Sequence, residues 1–423
     1  MKNYSFRYGD GSVSFALPDD AQLQELQGKD TPPLEDIRQA LFDSLDAPID
    51  KEPLREFLHP GDLVTLVISD LSRFWMRQDL VIPHLVDYIR DECGIPCQNL
   101  VILVANGTHI GGDEAELRRL VTDAVFDKVR VVNHDCMAPD LVSVGTTSYG
   151  TEVILNPLVV GRKVVTLGAA THHVMAGFGG GRKSILPGVS SLRTVQQNHA
   201  HALDPVLPRT NPEIGNAVLE GNPLHLDMCE AAAMVKDLFT VTLVMNAQMK
   251  LAAIFSGHYL TSWLRACEMV DEIYRVPIRE KADVIIASSG GYPKDMSLYQ
   301  GTKTIDNIEF ALKPGGTLVL LMECREGGGP AEYFDWIHPL VEGTMVEKLR
   351  EHFTIPGYIF FLNCEQAARY HILMMTSVPP EQLAPMGIRA FGSMDQLLSE
   401  VDLKDKLIYL IPNGSTVIPR VCD

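Results

Sequence analysis

Short apolar runs alternate with helical patterns along this chain, and that alternation limits the folds that it can adopt. The runs DLVTLVIS (62–69) and NLVILVA (99–105) are mainly apolar, as strands that are buried on both faces are. The segment 78–93 between them has the spacing of an amphipathic helix. Buried strands separated by helices are typical of an α/β protein with a parallel sheet, and we predict that class.

Two series of this kind follow one another, so we predict two α/β domains with a ligand crevice between them. The 423 residues also exceed what one hydrophobic core usually serves. We place the N-terminal domain at 1–272 and the C-terminal domain at 273–405. The segment 406–423 predicts a further strand and a tail that can close either domain, and packing back on the N-terminal one is one of these alternatives. Other strands are predicted at 128–133, 163–169, 239–245, 282–288, 315–322 and 358–362, and other helices at 261–275 and 301–312.

The charge of the chain argues against a nucleic acid partner. Lysine and arginine number 36 and aspartate and glutamate 54, so the formal net charge is −18, whereas a phosphate backbone requires a basic face. No apolar run reaches the roughly 18 residues of a membrane span, and the first residues lack a signal-peptide pattern. The eight cysteines have no zinc-site spacing. We therefore expect a cytoplasmic protein with reduced thiols that binds neither nucleic acid nor membrane.

Polar side chains cluster directly after several predicted strands. In open α/β sheets, ligands bind outside the carboxyl ends of the strands. These strand ends therefore predict one crevice that is lined by reactive side chains. The segments concerned are SDLSR (69–73), ANGTH (105–109), the pair His172 and His173, and 289–300.

The densest glycine cluster is GFGGGRKSILPG (177–188), which leads into Arg182 and Lys183. Glycine at this density costs conformational entropy on folding, so we expect something to approach the backbone closely here. A nucleotide-binding P-loop is one interpretation, but that motif requires glycine where Arg182 stands. A cradle of backbone N–H groups for another anion and a simple glycine turn with an exposed lysine are the alternatives.

Four histidines near this loop could act as metal ligands or as bases near neutral pH. They are His172, His173, His199 and His201, all within 30 residues of one another. No standard zinc signature fits them. A structural role is the alternative for each, as it is for His109 at the end of a turn.

Charged residues after the strands also have two interpretations. Asp70 and Arg73 could form a local surface ion pair, but arginine is also the preferred bidentate partner of a carboxylate ligand. Lys303 is most simply a solvated residue on an early helical turn. Cys136 is interpreted as a structural thiol, since nothing beside it indicates a lowered pKa.

Four motifs resemble those of the nickel-dependent lactate racemases, a family of 2-hydroxyacid racemases and epimerases that use a nickel-pincer nucleotide. The third motif is the most specific, because Lys183 has one histidine ten residues before it and another sixteen residues after it. The order, the spacing, the chain length and the two-domain organisation also agree. The motifs are SDLSR (69–73), ANGTH (105–109), HHVMAGFGGGRKSILPG (172–188) with Asn198 and His199, and GGYPKDMSLYQGTK (290–303).

The resemblance implies a role for each matching residue. The cofactor would be a pyridinium-3-thioamide-5-thiocarboxylic acid mononucleotide, with nickel held by two sulfurs, a ring carbon and His199. Lys183 would tether it through a thioamide, and His109 and His173 would be acid/base residues on opposite faces of the substrate. The glycines of the loop would let the backbone approach the phosphate of the cofactor. The other cofactor-binding positions would be Asp70, Gly177, Gly179, Gly180, Gly181 and Tyr299. The substrate-binding positions would be Arg73, Gln300 and Lys303.

The implied activity is inversion of a 2-hydroxyacid by reversible hydride transfer. Removal of the C2 proton is hard because the neighbouring carboxylate opposes a carbanion, whereas hydride removal leaves a planar 2-oxoacid. One histidine would take the hydroxyl proton, and the other would supply a proton when hydride returns to the opposite face. A small 2-hydroxyacid would be the substrate, and the enzymes that assemble the cofactor would be partners in maturation.

The chain departs from the family pattern after Arg73, where relatives often have proline and this sequence has Phe74 and Trp75. A bulky pair there could reshape the pocket or pack in the core, so the substrate stays open among lactate, malate, longer aliphatic, aromatic and sugar acids. His172 and His201 are extra histidines that complicate the ligand assignment.

Two other functions also stay open, a nucleotide-dependent phosphotransferase that uses the 177–184 loop and a non-catalytic carrier of a metal or cofactor.

Overall fold

The computed structural model describes residues 2–422 and divides them into two compact units. The central unit comprises Asp30–His201 and Glu213–Ile273. The terminal unit comprises the chain up to Lys29, the segment Ala202–Pro212 and the chain from Tyr274 onward. Each unit is built around its own six-stranded sheet.

Strands and α-helices alternate along the described chain. The strands are β1 (Lys2–Tyr8), β2 (Gly11–Leu17), β3 (Gln22–Glu25), β4 (Val64–Ser69), β5 (Leu100–Ala105), β6 (Arg130–Asn133), β7 (Val142–Thr146), β8 (Glu152–Leu155), β9 (Lys163–Ala169), β10 (His172–His173), β11 (Ala176–Phe178), β12 (Gly215–Asn216), β13 (Leu238–Met245), β14 (Leu251–Gly257), β15 (Arg275–Ile278), β16 (Ala282–Ser288), β17 (Leu312–Leu321), β18 (His371–Met375), β19 (Arg389–Phe391), β20 (Leu407–Ile411) and β21 (Ile418–Val421). The helices are α1 (Ile37–Asp46), α2 (Leu54–Phe57), α3 (Ile82–Asp91), α4 (Glu114–Val121), α5 (Asp123–Phe126), α6 (Leu192–His199), α7 (Pro223–Ala233), α8 (Thr261–Tyr274), α9 (Leu298–Ile308), α10 (Ile337–Glu342), α11 (Met345–Glu351), α12 (Ile355–Arg369), α13 (Pro380–Leu383) and α14 (Met394–Leu398).

The central unit contains a sheet in the order β14-β13-β9-β4-β5-β6. All neighbouring strands are parallel except β13 and β14, which are antiparallel. Both faces of the middle strands are buried, which explains why their sequences are nearly continuously apolar and do not alternate. Leu41 of α1, Leu85 of α3 and Leu117 of α4 belong to the same buried core. The predicted α/β class is therefore confirmed.

A small three-stranded sheet follows β9 and carries the histidine pair and the first glycines of the loop. Strands β10 and β11 are antiparallel, with His173 opposite Gly177. Strand β11 pairs in parallel with β12. The loop after this hairpin continues into a 3₁₀ turn, Gly181–Ser184, which contains Lys183.

The terminal unit contains a parallel sheet in the order β19-β18-β17-β16-β20-β3. The antiparallel hairpin of β1 and β2 supplies Phe6, Phe15 and Leu17 to the core of this unit. Strand β21 pairs in parallel with β15. The two ends of the chain therefore build the same unit.

The two compact units group the chain differently from the predicted domains, whose limits stay a prediction. Residues up to Lys29 and the segment Ala202–Pro212 group with the C-terminal part of the chain, although the prediction placed them in the domain 1–272. The segment 406–423 supplies β20 and β21, which pair with β16, β3 and β15 of the terminal unit. The reason is that β20 pairs with strands distant in sequence, and an apolar pattern does not encode pairing partners.

The strand predicted at 358–362 is wrong, because these residues lie inside helix α12. The Thr354 hydroxyl caps the helix by accepting from the backbone N–H of Gly357 at 3.1 Å, and Pro356 occupies the first turn. The side chains of Tyr358–Asn363 are all buried. A short apolar run looks the same in a buried helix and in a buried strand. Within residues 2–422, no helix is long and apolar enough to cross a membrane.

Candidate active site

Three neighbouring strands of the central sheet end at one edge. Strands β5, β4 and β9 are adjacent and parallel, so their carboxyl ends lie side by side. Asp70 follows β4, His109 comes shortly after β5, and His172 begins β10 after β9. The sheet thus brings together residues that the sequence placed at three separate strand ends.

His109 and Asp70 form the first pair at this edge. The Nδ1–H of His109 donates to Oδ2 of Asp70 at 2.6 Å, and the Ser72 hydroxyl donates to Oδ1 at 2.7 Å. Burial raises the pKa of Asp70, but the hydrogen bonds from His109 and Ser72 outweigh burial and lower the pKa below its ordinary value. An ionised Asp70 keeps the proton of His109 on Nδ1 and makes Nε2 the basic nitrogen.

A cavity of about 360 Å³ adjoins this pair. Its lining includes Asp70, Asn106, His109 and Glu116. The side chain of His109 is 52% exposed, so a small polar molecule can reach the imidazole. Such a molecule would meet a basic nitrogen that is held in place by a carboxylate.

His173 and Lys183 form the second pair, with Nε2 of His173 2.8 Å from Nζ of Lys183. Burial, and then the charges of Arg182 and Arg73, hold the pKa of Lys183 well below its ordinary value. Burial likewise holds the pKa of His173 well below its usual range. An imidazole and an amine that both resist protonation therefore lie in direct contact.

The structure gives the glycines a packing role. Gly177, Gly180 and Gly181 have φ of +71°, +73° and +55°, a region that other residues rarely adopt. A Cβ on Gly180 would lie 2.6 Å from the carbonyl oxygen of Ala169, and one on Gly181 would lie 2.5 Å from the ring of Trp263. The protein itself therefore approaches the backbone closely at these glycines, and their contact with a bound phosphate stays a prediction.

Arg182 is buried and holds this loop together. Its guanidinium donates to the carbonyl oxygens of Phe178 at 2.8 Å and Ala176 at 2.6 Å, and it lies 3.9 Å from the centre of the Trp263 ring. The indole N–H of Trp263 donates to the carbonyl oxygen of Gly179 at 2.7 Å. Burial lowers the pKa of Arg182 to about 10. A P-loop needs glycine at this position, so the buried arginine is a further mismatch between this loop and that motif.

Sequence reasoning missed Arg182 and Trp263 as residues that shape the site. The position of Arg182 directly before Lys183 was a usable signal. Trp263 lies on helix α8, far along the chain, and no motif marks it. Its contact with the loop is visible only in the folded chain.

His199 lies at the end of helix α6 and is buried. Its Nδ1–H donates to the carbonyl oxygen of Val195 at 2.9 Å, so the lone pair of the imidazole is on Nε2. Burial lowers the pKa of His199 to about 4. A neutral imidazole with a fixed tautomer is the form that ligates metals. Within the described residues, no group of three or more His, Cys, Asp or Glu side chains is placed to hold a metal ion.

The two extra histidines of the motif region are paired with carboxylates. Nε2 of His172 lies 2.6 Å from Oδ1 of Asp271, and Nε2 of His201 lies 3.6 Å from Oδ2 of Asp227. These contacts give both histidines structural partners. The ligand assignment among the four histidines stays a prediction.

The bulky residues that depart from the family pattern pack in the core. Arg73 is exposed on the 3₁₀ turn Leu71–Met76, whereas Phe74 and Trp75 pack against the central hydrophobic cluster. The guanidinium of Arg119 lies 4.4 Å from the centre of the Phe74 ring. Of the two interpretations of this pair, the structure favours core packing.

The remaining predicted site residues belong to the terminal unit, on the first turns of helix α9. Ser297 caps the helix, Tyr299 and Gln300 are partly buried, and Lys303 is exposed. The ammonium group of Lys303 donates to Oε1 of Gln300 at 2.8 Å. The helix begins three residues before the predicted 301–312, so all three candidates lie on a helix. Their roles toward substrate and cofactor stay predictions.

The fold and the site together define a class of protein. It is a two-unit α/β protein whose parallel sheet gathers imidazoles, a carboxylate and a lysine at its carboxyl edge, a group of residues suited to acid/base chemistry on small polar molecules. Comparison with known proteins identifies the family within that class. The lactate racemase N-terminal domain matches residues 8–208, and the lactate racemase C-terminal domain matches residues 278–419. The chain belongs to the lactate racemase family.

Individual relatives agree with this membership. A lactate racemase of Thermoanaerobacterium thermosaccharolyticum is 31% identical over 436 aligned residues, which cover 99% of this chain and 100% of that protein. A lactate racemase of Lactiplantibacillus plantarum is 24% identical over 89% of each chain. The structure of the lactate racemase apoprotein from T. thermosaccharolyticum superposes with a TM-score of 0.86 at 28% identity, covering 99% and 100% of the two chains. A Thermotoga maritima protein shares the fold, with a TM-score of 0.64 at 16% identity over 94% of this chain and 100% of that one.

Proposed function

We propose that the chain is a racemase or epimerase of a 2-hydroxyacid that acts by reversible hydride transfer. Its membership of the lactate racemase family supports the racemase class. The observation that carries the proposal is the presence, at one sheet edge, of the pair Asp70 and His109 and the pair His173 and Lys183. An enzyme that inverts a carbon centre needs an acid/base group for each face, and this edge offers two imidazoles.

The residues of the central unit fit a nickel-pincer nucleotide. Lys183 offers an amine with a depressed pKa for a covalent tether, and His199 offers one imidazole nitrogen. Because the described residues contain no cluster of three or more metal ligands, a metal held here would take its other donors from the bound group. When bound, that group would accept hydride from the substrate carbon and return it. The segment 177–181, Asp70 and Tyr299 are the further positions that we assign to its binding.

Each acid/base histidine has a defined task in the proposed reaction. His109 takes the hydroxyl proton at Nε2 and returns it, because Asp70 keeps its other ring proton on Nδ1. His173 is the acid/base group that we assign to the opposite face. Arg73 and Lys303 are the cations that we assign to the substrate carboxylate, and Gln300 is assigned to its polar oxygens.

Lactate is the first substrate to test, since both curated relatives are lactate racemases. The core packing of Phe74 and Trp75 gives no reason to exclude it. Malate and longer aliphatic, aromatic and sugar acids are the other candidates. The enzymes that assemble the cofactor are proposed as partners in maturation. No observation favours a phosphotransferase or a non-catalytic carrier.

The chain, co-produced with cofactor-assembly enzymes and nickel, should convert one lactate enantiomer into the other, as measured by chiral chromatography. Lys183→Ala should abolish the reaction, and His109→Ala and His173→Ala should each slow it about 100-fold or more. Mass analysis of the Lys183 peptide should show a cofactor-sized adduct. An unmodified Lys183 in protein that met mature cofactor would contradict the tether. A loaded chain that racemises none of the candidate acids would contradict the activity.

A further inference from the structure

The hydrogen bonds of His173 show where its ring proton lies. Its Nδ1 accepts from the backbone N–H groups of Met175 at 3.1 Å and Ala176 at 3.2 Å. A ring nitrogen that accepts hydrogen bonds carries the lone pair, so the proton of the neutral imidazole is on Nε2. That Nε2–H therefore donates to Nζ of Lys183.

A lysine that accepts a hydrogen bond is an uncharged amine, because an ammonium group has no lone pair. The surroundings of Lys183 favour the same form. After burial, the groups that act on it are two cations, Arg182 and Arg73. His199 is a neutral imidazole on the neighbouring helix α6. Geometry and environment therefore agree on the protonation state of the amine.

The segment that carries the amine is also fixed. The backbone N–H of Lys183 donates to the carbonyl oxygen of Gly180 at 3.1 Å within the 3₁₀ turn, and the preceding Arg182 is buried. Lys183, taken as a whole residue, is partly buried. An uncharged amine on a fixed segment has the properties of a nucleophile.

We propose that the unmodified chain holds Lys183 as a preformed nucleophile toward acyl and carbonyl carbons, with His173 as the positioning residue of its amine. The inference rests on the proposed function, in which Lys183 is the point of cofactor attachment, and it deepens that function by making the chain itself activate the lysine. Acylation has a further consequence. An amide nitrogen no longer accepts a hydrogen bond, so modification of Lys183 leaves the Nε2–H of His173 free to donate to another acceptor.

An activated ester tests this reactivity in the chain without cofactor. With N-hydroxysuccinimidyl acetate, Nζ attacks the carbonyl carbon and a C–N bond forms. The C–O bond to N-hydroxysuccinimide breaks, and that group leaves with the electron pair as an anion. One amine proton passes to the buffer. The product is acetyl-lysine, which peptide mass spectrometry quantifies residue by residue.

The exposed residue Lys128 serves as the internal reference. We expect Lys183 to be acetylated about tenfold or more faster than Lys128 at pH 7, because an uncharged amine can attack the ester whereas an ammonium group cannot. Between pH 7 and pH 9 the rate at Lys183 should change less than the rate at Lys128.

Variants of His173 test its positioning role. His173→Ala should slow acetylation of Lys183 about fivefold or more, since the amine loses the donor that orients it. His173→Gln should keep most of the rate, because its side-chain amide can donate to the same nitrogen. His201→Ala, a histidine of the same unit that lies against Asp227, should leave the rate unchanged. Circular dichroism and the urea midpoint show whether each variant is folded.

Two results would overturn the inference. Equal acetylation rates at Lys183 and Lys128 at pH 7, with the same pH dependence, would show an ordinary lysine. A fast Lys183 in both His173 variants would remove the positioning role of His173. These outcomes are separate from the proposed function, because racemisation by the loaded chain is measured independently and can succeed or fail with either result.

Discussion

At the scale of single residues, hydrogen bonds at Nδ1 distinguish the three site histidines. His109 donates to a carboxylate, His199 donates to a backbone carbonyl oxygen, and His173 accepts from two backbone N–H groups. The basic nitrogen is therefore Nε2 in the first two, whereas Nε2 of the third carries the proton. Three residues of one type acquire two kinds of chemistry from the neighbours that the fold provides.

Replacing Asp70 by Asn should make the fold less sensitive to acid. The folded-state pKa of Asp70 lies below its unfolded value, so the ionised carboxylate stabilises the fold at neutral pH, and this contribution is lost as the pH falls through the folded pKa. We expect Asp70→Asn to lower the free energy of unfolding by about 1 kcal/mol at pH 7 and by clearly less at pH 3. Urea unfolding at both pH values measures the difference.

The matched control for that comparison is Asp79→Asn. Asp79 pairs with the partly exposed Arg77 on the segment that follows β4, so its loss should cost at most about 0.5 kcal/mol at pH 7. Equal losses for Asp70→Asn at the two pH values would show that the carboxylate of Asp70 does not stabilise the fold through its charge.

At the scale of elements, helix α8 supports both parts of the loop region. Trp263 contacts Gly181 and Arg182, and Asp271, two turns further along the helix, pairs with His172 on β10. The hairpin and the glycine segment thus share one packing partner. Glycine is therefore needed in this segment for packing against helix α8, independently of any ligand.

Gly181→Ala should destabilise the chain through this contact. The substitution combines a positive φ with a Cβ that would overlap the Trp263 ring, and we expect a loss of about 2–4 kcal/mol in the free energy of unfolding. Gly150→Ala is the control, because Gly150 has φ of +85° and nothing within 4 Å of its Cβ position. That control should cost only about 1 kcal/mol in urea unfolding. Equal losses in the free energy of unfolding at the two positions would contradict the explanation by packing of Gly181 against Trp263.

At the scale of the whole molecule, the chain builds one unit from its two ends and the other from its middle. Strand β3 pairs with β20, and the hairpin of β1 and β2 packs in the core beside β16 and β17. The predicted boundary near residue 273 lies between the two six-stranded sheets along the chain. The predicted N-terminal domain, however, includes β1, β2 and β3, which group with the terminal unit. The predicted ligand crevice between the domains stays a prediction.

Phe15→Ala should loosen the terminal unit selectively. Phe15 is 4% exposed and packs edge-to-face on Phe6 at 5.2 Å between ring centres, so its truncation should cost about 3–5 kcal/mol. Hydrogen exchange should accelerate in β16 and β17 and stay unchanged in β4 and β5. Ser14→Ala, at an exposed position on the same strand, is the control and should change neither. Faster exchange in β4 and β5 would show that the hairpin also stabilises the central unit, and it would contradict a selective effect on the terminal unit.

The sequence by itself determined the elements whose character is local. Strands β9 and β16 have the predicted bounds 163–169 and 282–288, because a strand buried on both faces requires a continuous apolar run. The polar residues after the predicted strands indicated a site at strand ends, and three of those segments, 69–73, 105–109 and the pair His172 and His173, follow neighbouring strands of one sheet. The motifs around Lys183 were enough for the family, since their residue spacing is a property of the chain.

Only the tertiary structure decided what depends on contacts between distant residues. It showed that 358–362 is helical, that β3 (Gln22–Glu25) pairs with β20 near the end of the chain, and that the glycines accommodate Trp263 and the backbone at Ala169. It also set the tautomers of the histidines and the protonation of Lys183. These properties follow from burial and from hydrogen-bond partners, and a linear sequence specifies neither until the chain has folded.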